Sequence, residues 1–454
     1  MDNNPVTQNE GFKERLYEYR LFYSSTPLAP HTMRFELTLT QDIDPMALQL
    51  AVDRTMPRYP YFDVRLARIE EDYCFVSNGS PLLVRQKKDR AKLGTKSNAL
   101  HHIAVDYQGK AIGIDFSHFL TDGAGAYQWI KTLLHHYVSL AYHVTLEKGD
   151  TRLYGETIPA EELAPIPDDL PLPTPPKSAL VQALNIPLGE AKPVYFHFVL
   201  PEDAFVAKAR SLGATPNTLM ATLTQTLIRR LNPLDKRPIR VAICVNERKA
   251  LGLGLAHQSL VGGAVIAFDE ELESLPLEEK SHRVREQFKK QIQGEPALYS
   301  FAALRGLTKM IMEKPTDDER QAFAQEVRKY ANSSVSGTVS YVGKSDFGGA
   351  EPYIEDFVTL TSPTCGILFE LAAAHGNIFL ELIQPSRDDR YAEELGWLFA
   401  TLGLPYKNKG CRDLDVPGVK MPWDEEKKWY TIRCTTMDWF ELVIRAEPEH
   451  KRLS

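Results

Sequence analysis

Apolar residues alternate with polar ones at Phe35, Leu37 and Leu39, a period of two that predicts a strand over 33–40. The period then changes. Leu48, Ala51, Val52 and Met56 fall on one helical face, with Asp44 placed to cap, Pro45 in the first turn and Pro57 as a stop. Strands are predicted at 73–77 and 100–106, and a Gln108-Gly109-Lys110 turn leads into another at 111–116. Ile130, Leu133, Leu134, Tyr137, Leu140 and Ala141 recur at helical spacing and predict a helix over 123–141.

The second half repeats this style. A strand at 194–200 precedes a helix at 202–212, and Thr215-Pro216 opens another carrying Leu219, Met220, Leu223, Leu227 and Leu231. An apolar strand at 239–245 ends in Asn246-Glu247-Arg248-Lys249, with further strands at 261–268, 335–342 and 378–383. Helices are expected at 277–293, 317–330 and 388–402. Between the halves, 159–193 contains EELAPIPDDLPLPTPPK, whose prolines remove backbone donors and favour an extended crossover along a surface. The expected fold class is therefore α/β or α+β, with mixed sheets and flanking helices in both halves. The expected subdomains are 1–175 and 176–406, followed by a C-terminal extension at 407–454 to which no function is assigned. The extension holds Trp423, Trp429 and Trp439, which are expected to pack onto the body.

Composition narrows the chemistry. With 454 residues, 43% hydrophobic and 25% charged, the chain has the usage of a folded protein, not of a disordered tail or a disulfide scaffold. The net charge of −7 and the lack of a dense basic block argue against nucleic-acid binding. The nearest such block, 85–90, is interrupted by Asp89 and reads as a solvated turn. No apolar run is long enough to span a bilayer, and the polar N-terminus lacks a signal core, so a cytoplasmic location is expected. The five cysteines are scattered without a CxxC, against both disulfides and a structural zinc site; Cys244 and Cys365 read as small core residues. No metal-ligand spacing is complete. Without GxSxG, GxGxxG or a P-loop, a serine nucleophile, hydride transfer and nucleotide-dependent phosphoryl transfer are disfavoured.

Chemistry gathers at Ser117-His118-Phe-Leu-Thr-Asp122-Gly123, between a strand and an amphipathic helix. A histidine there can project one ring nitrogen into a cleft and act as a general base. Asp122 can pair with an arginine and stiffen the loop, and Gly123 permits a tight turn. A satisfied structural histidine, a helix cap and an ordinary turn would leave the same pattern. His101-His102-Ile-Ala-Val-Asp106 also spells HHxxxD, but it is read as extended, which separates its first and last residues.

HxxxDG in this setting resembles the signature of the chloramphenicol-acetyltransferase-like superfamily, which includes peptide-synthetase condensation domains, plant BAHD acyltransferases and alcohol acetyltransferases. The resemblance runs over about 15–405 and includes the long crossover. It implies two chloramphenicol-acetyltransferase-like α/β sandwiches meeting at a cleft. His118 would deprotonate an acceptor that attacks a thioester carbonyl, with Asp122 turned away into a salt bridge with Arg248, and Gly123 and Arg248 shaping the loop. Ser340-Tyr341-Val-Gly343 and Asp346-Phe-Gly-Gly349 fall where the family carries Ser-Asn-x-Gly or Asp-Phe-Gly-Trp-Gly, which implies that Ser340 and Tyr341 serve the oxyanion or the channel. The resemblance further implies acyl-CoA or an acyl carrier protein as donor, an alcohol or amine acceptor, and no tightly bound cofactor or metal. Ser117 stands in place of the first His of the condensation motif, Tyr341 in place of Asn, and Gly349 in place of Trp. The alternatives are a condensation-type amide-forming enzyme using carrier-bound substrates and a non-catalytic binding protein of the same fold.

Overall fold

In the computed structural model, which describes residues 12–27, 29–175, 181–186, 192–363 and 366–425, the HxxxDG segment leaves the middle of a five-stranded sheet. Thr32–Leu39, Ala111–Ser117 and Ile103–Gln108 are its antiparallel centre, and Arg85–Gln86 pairs parallel at one edge. Phe35, Leu37 and Leu39 are all buried, as their alternation predicts. Helix Pro45–Thr55 packs beside helix Gly123–Ala141. Asp44 caps the former through the Met46 and Ala47 amides, at 2.8 and 3.1 Å.

The opposite edge of this sheet comes from the second half. Ile354–Thr361 runs antiparallel to Thr32–Leu39. The sequence pattern does not announce this strand because both of its faces are covered. Val358 and Leu360 join Leu368 and Ile383, whereas Phe357 meets the rings of Tyr127 and Phe347. A small third sheet joins Lys13–Arg15, Asp72–Ser77 and Val64–Ile69.

The second half is built on a seven-stranded sheet in the order Val261–Phe268, Ile239–Asn246, Gly337–Lys344, Leu368–Ala374, Asn377–Gln384, Val194–Pro201, Lys407–Asp413. Helices Pro216–Leu231, Leu277–Ile292 and Arg390–Thr401 contribute apolar residues to the large core cluster that this sheet shares. Thr215 and Thr218 cap the first of these helices reciprocally. Of the described residues, those through Lys420 belong to one compact unit, and 421–425 fall outside it. Cys365, Cys434, Trp429, Trp439 and parts of the crossover lie outside the described residues.

The 85–90 segment corrects the sequence expectation of a solvated turn. Lys87 pairs with Glu36 at 2.9 Å and Arg90 with Asp415 at 2.6 Å, and the Arg90 side chain is only 11% exposed. These contacts surround a deeper cluster. Buried Arg34 donates to Asp106 at 2.7 and 2.9 Å, to Asp115 at 3.0 Å and to Glu36 at 3.1 Å. One guanidinium thereby ties the three central strands together. Removing it strands two buried carboxylates, so Arg34→Met is expected to lose ~3–5 kcal/mol of unfolding free energy. Urea denaturation checks this, and a loss below ~1 kcal/mol would deny the cluster that role.

Candidate active site

The central strand of the five-stranded sheet ends at Ser117, and the next residue is His118. The His118 amide donates to the His31 carbonyl at 2.7 Å, which fixes the backbone where the chain leaves the sheet. The ring is half-buried, with Nδ1 enclosed and facing its own backbone carbonyl, leaving Nε2 as the nitrogen that can meet a ligand. Burial lowers the ring's pKa below its ordinary 6.5, against the opposing influence of its own backbone carbonyl and of the Asp122 and Glu18 carboxylates. A neutral imidazole is the form that accepts a proton.

Asp122 points elsewhere. Its Oδ1 accepts from the Gly125 amide at 2.9 Å and caps helix Gly123–Ala141. The same carboxylate receives both terminal nitrogens of Arg248, each at 2.8 Å, and the Leu260 amide at 2.8 Å. Arg248 then fills its remaining donors with the carbonyls of Ala256 and Gln258 and the Asn246 side chain, at 2.9, 2.7 and 3.2 Å. Burial raises the carboxyl pKa, but Arg248 and the two amides outweigh it and hold Asp122 below its ordinary value. The pair joins a helix of the first half to the short helix Arg248–Leu251 of the second.

Two glycines allow the close approach. A Cβ on Gly123 would lie 2.9 Å from Val342, and one on Gly125 would overlap Thr121 Oγ1 and the His257 carbonyl. Thr121 Oγ1 donates to that carbonyl at 2.6 Å. His257 is held in turn by Glu14 at 3.0 Å, by the Glu162 carbonyl at 3.1 Å, and by a stacked Tyr61 ring at 4.0 Å. Glu162, on the short crossover helix, receives both terminal nitrogens of buried Arg58.

Ser340 and Tyr341 lie on Gly337–Lys344, the strand that also brings Val342 against Gly123. Ser340 hydrogen-bonds the buried Glu370 carboxyl, while half-buried Tyr341 packs on the large core. Ser340, Glu370, Glu381 and His197 are register partners across four neighbouring strands. Burial pushes both carboxyls up to about 7. His197 reaches Glu381 and Asp356, both at 2.9 Å, and these bonds overcome its burial to raise it to about 9.

Sequence reasoning missed this polar row, whose members lie on separate strands with no shared spacing. It also missed His31, and Glu247, which is buried and pushed up to about 8. His101 and His102 end just before strand Ile103–Gln108, and neither bonds Asp106. His101 meets the Ser80 carbonyl and His102 the Ser117 hydroxyl, each at 2.9 Å. Among the described residues no cluster of potential metal ligands occurs, and no helix is long and apolar enough to cross a membrane.

No family model matches the chain, and no curated protein does. Solved structures do match. TRI3 trichothecene 15-O-acetyltransferase from Fusarium sporotrichioides superposes with a TM-score of 0.58 at 10% identity, over 86% of this chain and 95% of that one. TRI101 from F. sporotrichioides, solved with coenzyme A and T-2, gives 0.54 at 15% identity, over 88% and 100%. The condensation domain of the Monacolin K polyketide synthase MokA gives 0.54 at 12% identity, over 87% and 97%. The chain thus has the chloramphenicol-acetyltransferase-like fold.

Replacing Asp122 with Ala leaves a buried guanidinium without its carboxylate, so a loss of ~3–5 kcal/mol is expected. Double-mutant denaturation with Arg248→Ala checks the pairing. Losses that simply add would mean the two side chains are not coupled.

Proposed function

We propose that the protein transfers an acyl group from an acyl-CoA thioester to an alcohol or amine, with His118 as the general base. The observation that carries this reading is the half-buried His118 ring, which has no side-chain partner among the described residues and sits beside the Asp122–Arg248 pair. Its Nε2 would take the acceptor's proton as the acceptor oxygen or nitrogen bonds to the thioester carbonyl carbon. Collapse of the tetrahedral intermediate would break the carbon–sulfur bond, and the departing thiolate would recover the proton from His118. The site residues Asp122, Gly123 and Arg248 would hold the loop and never touch the substrate. Stabilising the oxyanion through Ser340 would require its hydroxyl to turn from Glu370; Tyr341 would support the same strand from the core side.

The likeness in fold to TRI101, solved with coenzyme A, supports the choice of donor. That to the MokA condensation domain keeps a carrier-protein thioester as the rival donor. No cofactor beyond the co-substrate is invoked, and the cytoplasm is the location proposed.

Free-thiol release from acyl-CoAs with a panel of alcohols and amines tests the proposal. Acceptor-dependent release should fall ~10²-fold or more in folded His118→Ala. Release unchanged by that substitution would remove His118 from the mechanism. Silence with acyl-CoAs but turnover with acyl carrier protein would move the protein to the condensation-type reading, and silence with both to a binding role.

The pH dependence follows from the lowered imidazole pKa. Below that pKa the ring is protonated and cannot accept, so kcat/KM should rise with pH through a midpoint that lies below His118's ordinary value of 6.5. A limb still rising above neutrality would identify a different base.

A further inference from the structure

The ladder between Thr32–Leu39 and Ala111–Ser117 ends with Thr32 opposite Ser117. One step beyond that pair the His118 amide donates to the His31 carbonyl at 2.7 Å, and there the two chains part. His31 turns away in a left-handed conformation, with φ at 49°. Residues with a Cβ are crowded in that region, and glycine is not. Glu70, Ala99, Leu100, His143 and His375 also have positive φ, but all of them are half-buried or exposed. Among the described residues, His31 is the one buried non-glycine held this way, and its carbonyl is the one that holds the candidate base.

The His31 ring is gripped from behind. Ser24 Oγ lies 3.0 Å from His31 Nε2, and the two residues are only 2% and 4% exposed. Burial lowers the imidazole pKa well below its ordinary 6.5, so the ring that meets Ser24 is neutral. Ser24 closes helix Tyr19–Ser24, which packs against helix Asp317–Ser333 of the second half, and its carbonyl accepts from Arg328 at 3.0 Å. The turn that follows is tied to itself. Thr26 and Ala29 exchange backbone bonds at 3.1 Å, and Ser25 Oγ donates to the Leu21 carbonyl at 3.0 Å. A run of bonds therefore passes from the second half through Ser24 and His31 to the backbone of His118, and it shares no residue with the Asp122–Arg248 pair. Backbone conformations of this kind persist only where their surroundings over-determine them, and they gather at functional sites.

We propose that His31 is a positioning residue for the candidate base: its left-handed backbone, latched by the Ser24 hydroxyl, sets where and in which direction His118 leaves the sheet. His31 itself touches no reacting atom. A residue that only filled space here would be replaced worst by glycine, which leaves the largest void. A residue that sets backbone direction is replaced best by glycine, because only glycine takes this conformation without Cβ crowding. The Ser24 hydroxyl, for its part, matters only while there is a ring for it to hold. The catalytic consequence rests on the acyl-transfer reading; the placement of His118 rests on the geometry alone.

Two measurements on the full chain separate these. Hydrogen exchange followed by mass spectrometry on peptides covering 117–122 reads the His118 amide bond directly and needs no turnover. Exchange there should be slow in wild type and in His31→Gly, and at least ~10-fold faster in His31→Ala. In turnover with acyl-CoA, kcat should fall ~10- to 100-fold in His31→Ala with KM kept within ~3-fold, and His31→Gly should recover most of that loss. Ser24→Ala alone should lower kcat by at least ~3-fold, and it should add nothing on top of His31→Gly. It also serves if His31→Ala folds poorly. A kcat in His31→Gly at or below that of His31→Ala would reduce His31 to packing and overturn the proposal. A Ser24→Ala loss that persists in full on top of His31→Gly, or His118 exchange unchanged in His31→Ala, would overturn it too. A loss confined to KM would assign His31 to substrate binding instead. The expected exchange order in a protein that turns over no acyl thioester would keep the positioning of His118 and remove the acyl-transfer reading.

Discussion

The buried pair between Asp122 and Arg248 is the constraint on which the site depends. An isolated carboxylate at this depth would be strongly disfavoured, and so would an isolated guanidinium. Here the carboxylate receives two guanidinium nitrogens and two amides, and the guanidinium's remaining donors find two carbonyls and an amide oxygen. Because Asp122 caps the helix that follows His118, and Arg248 belongs to the 246–260 segment, the geometry of the loop is inherited from contacts between the two halves. His118 itself needs no side-chain partner to be placed. Its backbone is fixed by His31, and everything behind it is fixed by Asp122.

The same economy of polar contacts recurs around this pair. Thr121 reaches the His257 carbonyl, His257 is gripped by Glu14, and Glu162 holds Arg58. These links come from the N-terminal strand, the first-half sheet, the crossover and the second half. Buried polar networks satisfied to this degree specify one arrangement of elements over near alternatives, which apolar packing alone does less sharply.

The sequence made local things legible. Helix Gly123–Ala141 has the predicted limits, and Asp44 and Thr215 cap where predicted, since spacing and capping chemistry are properties of neighbouring residues. The meeting of Asp122 with Arg248 was foreseen through resemblance, because 126 residues of separation leave no local trace. Strands Ile354–Thr361 and Leu368–Ala374 were missed. Both are covered on two faces, which erases the alternation that marks a half-exposed strand. Helix Tyr19–Ser24 is too short for a period to register, and with it went the one clue to His31 and its neighbours. Ser340 was singled out by its motif, but only the register of the sheet revealed the acidic partner beside it.

The strand Ile354–Thr361 has one more consequence. It closes the edge of a sheet whose other members were all made by residue 117, and it pairs with residues 32–39, more than 300 positions earlier. During synthesis the first half must wait with Thr32–Leu39 unpaired along one side until most of the chain has emerged. An open edge of that kind is the part of a nascent protein most prone to pair with the wrong partner. The two halves are thus less a pair of modules than a single folding event with a late final step, and its timing is set by where in the chain one edge strand happens to be encoded.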